Sequence, residues 1–192
     1  MKKSNKMIIA IVSIVVVLAL IGIVVALNSK PKAENTNVST IKTAEDLSAL
    51  VDKIYEGQNT LSSLQTQIVD TTDNDMVKSV TGLENANDLE YVVVSEPMIS
   101  SQAYSLVLAK VKAGTNVNEI AKQMSENVNT RKWICVSAEK LYATSSGDIV
   151  FLVMSSEEKA KPIYEKFKTL FGNVGQTYEK AEEEIELPPE MF

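Results

Sequence analysis

The sequence predicts an α+β protein in which an N-terminal transmembrane helix precedes a two-layer sandwich of helices on a small, mostly antiparallel sheet. First, 21 uncharged residues stand together near the N-terminus, at Met7 to Leu27. Second, segments with helical periodicity alternate with short segments rich in β-branched and aromatic residues. Third, Thr43 to Gly172 is about 130 residues, the usual size of one domain. If Leu64 to Val69 forms a strand, the element order becomes βαββαβ, which predicts a ferredoxin-like topology.

The N-terminal run has the length and the apolar composition of a membrane anchor. Only Ser13 and Gly22 interrupt its aliphatic character, and as a helix it would be ~32 Å long, the thickness of a bilayer core. Three lysines precede it, which favours a cytoplasmic N-terminus and export of the rest. A cleaved signal, with Val24 and Ala26 at positions −3 and −1, is the alternative, although the run exceeds the usual length of such a signal. We expect a single-pass anchor that contacts the lipid bilayer through Met7 to Leu27.

The chain divides into four predicted parts. Residues 1–27 form the cytoplasmic tip and signal-anchor helix, and the polar residues 28–42, which include Pro31, form a flexible linker. Residues 43–172 form an extracytoplasmic α+β domain. Residues 173–192 are rich in glutamate and are predicted to be a solvated acidic tail, so that Gly172 and Gly175 end the ordered part.

The first half of the domain is predicted to begin with two helices. Thr43 caps the first of them, which Gly57 ends, and its apolar stripe consists of Leu47, Leu50, Val51 and Ile54. The segment from Leu61 to Val69 suits a strand or a helix equally. A short helix then follows from Asp73 to Val80 and ends at Gly82.

The second half is predicted to contain a hairpin, a central strand and two helices. The hairpin joins Asp88–Met98 to Ala103–Val111. Asn116 then caps a helix, and the segment Trp133–Cys135 either continues it or turns into a strand. Ser145–Gly147 is a turn before Asp148–Met154, whose six consecutive apolar residues indicate a strand that is central or covered on both faces. Ser155 with Glu158 forms a capping box for a last helix ending near Phe171, which Pro162 must kink or restart.

The composition excludes several classes of chemistry. The 192 residues contain no histidine and one cysteine, and the net charge is −6. Without histidine there is no Ser-His or Cys-His catalysis. One cysteine forms neither an internal disulfide nor a thiolate metal cluster. The acidic balance is opposite to what nucleic-acid binding requires, so we expect no nucleic-acid partner.

Four groups of residues are candidates for a functional site. Ser137 and Lys140 have the S-x-x-K spacing of serine acyltransferases, but the same spacing recurs at Ser29, Ser39 and Ser156, so we predict a solvated turn there. For the other groups we predict structural roles: the aspartates Asp70, Asp73 and Asp75 cap a helix and form turns, Cys135 is a small core residue, and the aromatic residues Trp133, Tyr91, Tyr104 and Tyr142 pack in the core. No catalytic residue, cofactor site or metal site is assigned.

The order of segments from Thr43 to Gly172 resembles an uncharacterised family of Gram-positive extracytoplasmic domains, often lipoprotein-like, with no assigned activity. The resemblance rests on TAEDLSALVDKIYE, DNDMVKSVTGL, DLEYVVVSEP with AYSLVLAKVKAG, NVNEIAKQMSENV and GDIVFLVMSSEEKA. Such a family implies an extracytoplasmic location in a bacterial envelope and supplies no catalytic residues. This chain lacks the lipid-attachment cysteine and would use its apolar helix as the anchor.

Together these features favour a membrane-anchored binding or interaction module at the cell envelope, with an envelope protein or a small ligand as its partner. Two other functions stay open. One is an envelope enzyme with Asp/Glu or Ser-Lys chemistry that spacing does not reveal. The other is a structural subunit of a membrane complex.

Overall fold

The computed structural model describes residues 41–59, 63–99 and 101–181. The predicted anchor 1–27 and nearly all of the linker 28–42 lie outside them, and no helix within these ranges is both long and apolar enough to cross a bilayer. The helices are α1 (Ala44–Tyr55), α2 (Asn74–Thr81), α3 (Val117–Asn127) and α4 (Glu157–Phe171). The strands are β1 (Leu64–Ile68), β2 (Leu89–Pro97), β3 (Ser105–Val111), β4 (Lys140–Ser146), β5 (Ile149–Ser155) and β6 (Tyr178–Ala181).

The six strands form one sheet in the order β1-β2-β3-β5-β4-β6, and every neighbouring pair is antiparallel. The predicted α+β class with an antiparallel sheet is thus confirmed, as is the hairpin of β2 and β3, in which Val94 lies opposite Val107. The ambiguous segment after Leu61 contains strand β1.

The ferredoxin-like topology is wrong, because that topology separates two parallel strands of a βαβ unit, whereas here β1 and β2 are antiparallel neighbours. The connection between them explains the difference. Helix α2 has eight residues and is therefore ~12 Å long, so the chain returns to β2 at the end of the sheet where β1 stopped.

Helices cover both faces of the sheet, so the predicted two-layer sandwich is also wrong. One apolar cluster joins α1 and α4 to the face that carries Leu106, Leu108 and Phe151. A second cluster joins α2 and α3 to the face that carries Val107 and Leu152. Because successive strand residues point to opposite faces, a strand that is apolar at every position needs a cover on both sides. All seven residues of β5 are buried, as its apolar run predicted.

Strand β4 was not anticipated, and Lys140, assigned above to a solvated turn, is its first residue. Its polar C-terminal half (Thr144, Ser145 and Ser146) obscured the strand, yet these residues are buried. Each hydroxyl has a partner: Thr144 Oγ1 donates to the carbonyl of Gly175 at 3.3 Å, Ser145 Oγ to Asn118 Oδ1 at 2.7 Å, and Ser146 Oγ to the carbonyl of Asn173 at 3.1 Å. Hydrogen bonding removes most of the cost of burying a hydroxyl. The predicted turn is real but begins later, at Gly147.

The first part of the predicted tail is ordered as strand β6, which corrects the assignment of residues 173–192 as a solvated extension. Tyr178 pairs with Ala143, and Ala181 pairs with Lys140. Lys140 Nζ also lies 2.9 Å from a carboxylate oxygen of Glu179. Residues 182–192 lie outside the described part.

Most predicted helix caps are present. Thr43 and Asp46 form a reciprocal capping box, and Asp73 and Asn116 accept backbone N–H bonds at the starts of α2 and α3. The capping box expected at Ser155 is wrong, since Ser156 occupies the N-cap of α4 and makes no side-chain cap bond. Helix α4 continues through Pro162.

Candidate interaction surface

Two irregular segments, one that contains residues 98–99 and 101–104 and one that contains residues 129–139, lie together at one end of the sheet. The first joins β2 to β3, and the second leads from α3 to Lys140 at the start of β4. Strand β5 ends at the same place, where Ser155 pairs with Lys140. We call this end of the sheet the loop pole. Helix α1 also ends there, because Tyr104 Oη donates a hydrogen bond to Tyr55 Oη at 3.1 Å.

The loop pole carries exposed apolar side chains. Met98 is 72% exposed, Ile99 61% and Ile134 70%. In the described residues, five large hydrophobic side chains are exposed, and the other two, Ile68 and Met76, lie elsewhere. Single exposed apolar residues are ordinary on protein surfaces, whereas a group at one place marks an interaction site more often. We call Met98, Ile99 and Ile134 the apolar tip.

Segment 129–139 is held by side chains, which explains why it is neither the helix nor the strand considered for Trp133–Cys135. Lys132 is only 12% exposed and forms an ion pair with Glu96 at the end of β2. Its Nζ also lies 3.4 Å from Ser105 Oγ, at the start of β3. Trp133 packs against the core, and the Ala138 N–H donates to the carbonyl of Thr130 at 2.8 Å. The segment that carries Ile134 is therefore fixed to the end of the sheet.

Cys135 is exposed, so its assignment to the core is wrong. Its backbone has φ +59°, a left-handed conformation that is uncommon outside glycine. Trp133 faces the core while Ile134 and Cys135 face solvent. The apolar neighbours of Cys135 in the sequence suggested burial, but Ile134, directly before it, is exposed and belongs to the apolar tip.

The structure opposes the S-x-x-K chemistry considered for Ser137 and Lys140. The hydrogen bond and charge of Glu179 raise the pKa of Lys140. A lysine that activates a serine must instead lose its proton near neutral pH, which requires a lowered pKa. Lys140 is thus better suited to joining β4 to β6 than to acting as a base.

Asp70 and Asp73 have the structural roles predicted for them, and Asp75 lies in the first turn of α2. Asp70 Oδ1 accepts hydrogen bonds from the Thr72 hydroxyl at 2.7 Å and the Thr72 N–H at 2.9 Å, which lower its pKa. Asp73 caps α2 by accepting the N–H of Met76 at 3.0 Å. Over residues 41–59, 63–99 and 101–181, no group of acidic or cysteine side chains is arranged to hold a metal ion.

The aromatic residues mostly belong to the core, as predicted. Tyr142 is 4% exposed and stacks on Tyr164 with ring centroids 4.9 Å apart, and Tyr104 is 1% exposed. Trp133 and Tyr91 are partly buried against the two clusters. Through these contacts Tyr142 helps to hold α4 to the sheet, and the hydrogen bond of Tyr104 to Tyr55 helps to hold α1.

Two cavities of the described part are candidate sites besides the apolar tip, and neither brings together a set of catalytic groups. A cavity of about 470 Å³ lies between α2 and α3, and Lys78, Glu84 and Asp88 are among its lining residues. Lys78 Nζ lies 2.8 Å from Glu84, and both side chains are largely exposed. A smaller one of about 330 Å³ lies at the loop pole beside Ser137, Ser156 and Lys159. Ligand sites are typically concave and mainly apolar with a few convergent polar groups, so the apolar tip is the stronger candidate.

The fold and this surface define a class: an antiparallel α+β domain, covered on both faces, with an apolar loop surface at one end. Comparison of the chain with protein-family models, curated proteins and solved structures finds no match. The resemblance to an extracytoplasmic family therefore stays a prediction from the order of segments.

The stability of the domain is expected to fall above pH 10. Burial raises the pKa of Tyr55, and it raises that of Tyr104 well above the ordinary value. An ion pair with Asp148 raises the pKa of Lys110. A group whose folded pKa is raised stabilises the fold fully below its unfolded pKa, and this contribution is lost as pH rises through the folded pKa. Urea unfolding between pH 8 and 12 measures the decline.

Tyr104→Phe is the matched control for this decline. It keeps the buried ring but removes the ionising hydroxyl, so stability should fall less steeply with pH than in the wild type. At pH 8 we expect a loss of only ~1 kcal/mol, from the hydrogen bond to Tyr55. Parallel pH profiles for the two proteins would show that Tyr104 does not contribute.

Proposed function

We propose that the chain is a single-pass membrane-anchored protein of the bacterial envelope, and that its exported domain binds a protein partner through the apolar tip. The apolar run Met7–Leu27 and the lysines before it support the anchor and its orientation. The exposure of Met98, Ile99 and Ile134 is the observation that carries the binding role. Neither part of the proposal needs a cofactor or a nucleic acid.

The position of the apolar tip is consistent with binding. Helix α1 ends at the loop pole and begins ~18 Å away along its axis. The point where the linker joins the domain, at Ile41, is thus separated from the apolar tip by the length of a helix. Lys132 and Trp133 hold the segment that carries Ile134, so this part of the surface is preformed. A preformed surface loses less conformational entropy on binding than a mobile one.

A protein partner fits this surface better than a small ligand. The tip residues are 61–72% exposed, whereas small molecules bind in concave sites that bury most of their area. Apolar side chains such as methionine and isoleucine form the dry centre of many protein interfaces.

Site-specific photocrosslinking in cells tests the binding role. We expect a crosslinker placed at Met98, Ile99 or Ile134 to yield an adduct of the same added mass from each position. Ala113 is the control position, since it is exposed and follows β3 at the opposite end of the sheet. Adducts from Ala113 of equal yield, or none from the tip, would contradict the proposal.

A second variant measures the energetic role of the tip. Ile134→Ser should lower the adduct yield from position 98 about tenfold, the effect of losing ~1.4 kcal/mol at an interface. Because Ile134 is 70% exposed, the free energy of unfolding should change by less than ~0.5 kcal/mol. An unchanged yield would show that Ile134 does not contribute to the interface.

The anchor and its orientation have a separate test. A topology reporter fused after residue 42 should be active only outside the cytoplasm. A reporter that is active only inside the cytoplasm would contradict the proposed orientation. The crosslinking experiment tests the binding role separately from this result.

A further inference from the structure

Strand β1 is an edge strand, and its sequence lacks the charged residues and prolines that usually prevent an edge strand from pairing with another chain. It is the first strand in the sheet order, and among the described strands only β2 pairs with it. Its sequence, Leu-Gln-Thr-Gln-Ile, has no charge and no proline. Edge strands are normally kept apart by lysines, prolines, bulges or short length. The opposite edge, β6, has four residues, including Glu179 and Lys180.

The hydrogen bonds between β1 and β2 show which residues of β1 direct their backbone groups toward β2 and which direct them toward the free edge. The Val69 N–H donates to the carbonyl of Val92 at 2.9 Å, and the Met98 N–H donates to the carbonyl of Ser63 at 3.3 Å. In an antiparallel ladder, alternate residues direct their N–H and C=O groups to the same neighbour. The odd-numbered residues 63 to 69 therefore face β2, and the even-numbered residues direct their backbone groups to the free edge. Those residues are Leu64, Thr66 and Ile68.

The strand is also close to a palindrome about Thr66. If a second β1 lies antiparallel with Thr66 opposite Thr66, then Leu64 lies opposite Ile68 and Gln65 opposite Gln67. Every outward-facing residue then meets an outward-facing residue, which gives about six backbone hydrogen bonds across three residue pairs. Two apolar pairs form on one face of the sheet and two amide pairs on the other. Such self-complementarity is what a two-fold symmetric interface requires.

We propose that two copies of this chain associate through β1, joining their sheets into one continuous antiparallel sheet across a two-fold axis at Thr66. Several features support a second copy as the occupant. The strand carries no charge, so the paired strands themselves add no charge repulsion between two acidic domains. Ile68 is 50% exposed and gains an apolar neighbour in Leu64 of the other copy. The apolar tip contributes no residue to the three residue pairs of this interface, although Met98 adjoins the start of β1 through its N–H bond to Ser63.

Disulfide trapping of the full-length chain tests the symmetric contact. Opposed residues in a hydrogen-bonded antiparallel pair have Cα atoms about 5.5 Å apart, a distance that a disulfide spans. In a Cys135→Ser background, which removes the exposed native thiol, Thr66→Cys should form a covalent dimer under mild oxidation. Ala181→Cys, on the exposed part of the β6 edge, is the matched control and should stay monomeric on reducing-agent-free gels.

Charge substitutions test the register. Gln65→Lys with Gln67→Lys places like charges opposite each other in the dimer and should raise the dimer dissociation constant about tenfold. Gln65→Lys with Gln67→Glu places opposite charges there and should change it by less than about threefold. Both glutamines are exposed, so the fold should be retained. Sedimentation of the full chain in mild detergent measures the dimer dissociation constants of the wild type and of both double variants.

Each remaining outcome overturns the proposal. A monomeric wild-type chain would do so directly. A dimer that Thr66→Cys does not trap, or that the lysine pair does not weaken, would place the contact elsewhere on the chain. Equal weakening by both charge pairs would rule out the proposed register.

Discussion

Replacing Phe151 by alanine is expected to lower the free energy of unfolding by ~3–5 kcal/mol. Phe151 is fully buried in the central strand β5, and its ring stacks on Phe167 of α4 with centroids 4.5 Å apart. Its truncation removes apolar burial and leaves a cavity between the sheet and α4. Both terms destabilise the domain, because a well-packed core relaxes only partly around a cavity.

Urea unfolding followed by Trp133 fluorescence and circular dichroism measures the loss. Ile134→Ala is the control, since it also truncates an apolar side chain but at a position that is 70% exposed, and its effect should stay below ~0.5 kcal/mol. Similar losses for the two variants would contradict the burial of Phe151.

Gly82→Ala is expected to destabilise the domain by ~2–5 kcal/mol. Gly82 ends α2 with φ +77°, and a left-handed conformation costs a residue with a Cβ ~1–2 kcal/mol. An added Cβ would also lie 2.6 Å from the carbonyl carbon of Asn127 and 2.8 Å from Val128 Cα, and would overlap the Val128 nitrogen. These are backbone atoms at the end of α3, so relief requires α2 and α3 to move apart, at a further cost of ~1–3 kcal/mol.

Gly114→Ala separates the conformational cost of a Cβ at positive φ from the cost of its contact with the end of α3. Gly114 has φ +90°, and an added Cβ there has no atom within 4 Å, so only the conformational cost of ~1–2 kcal/mol applies. The difference between the two variants in equilibrium unfolding is the cost of the close approach between α2 and α3. Equal losses at both positions would show that this approach is not tight.

Elements specified by neighbouring residues were predicted well. The capping box at Thr43 and Asp46 involves residues three apart, and the apolar stripe of α1 repeats along one helix face. The β2–β3 hairpin joins two strongly patterned strands through a short connection. The consecutive apolar residues of β5 correctly indicated a strand covered on both faces.

Elements that depend on distant partners were missed. Ser145 and Ser146 suggested only a turn, and they are tolerated in a buried strand because Asn118 and Asn173 accept their hydroxyl hydrogens. Strand β6 looked like the start of an acidic tail, and it is ordered by pairing with β4 and by the ion pair between Lys140 and Glu179. None of these partners lies within a local window of sequence.

The candidate surface was equally hard to anticipate. Met98 and Ile134 are 36 positions apart, and Lys132 brings their segments to the same end of the sheet through its contacts with Glu96 and Ser105. The apolar residues around Cys135 led to the prediction that it lies in the core. A run of apolar residues does not show whether the segment is buried or forms an exposed surface in a loop.

By itself, the sequence determined the apolar N-terminal run, the acidic composition without histidine, the helix caps and the strongest strands, because each depends on residue type and short-range spacing. Only the tertiary structure decided that both faces of the sheet are covered, that β4 and β6 complete it, and that Met98, Ile99 and Ile134 share one end. These features depend on which distant segments meet, and that is set by the packing of the whole domain.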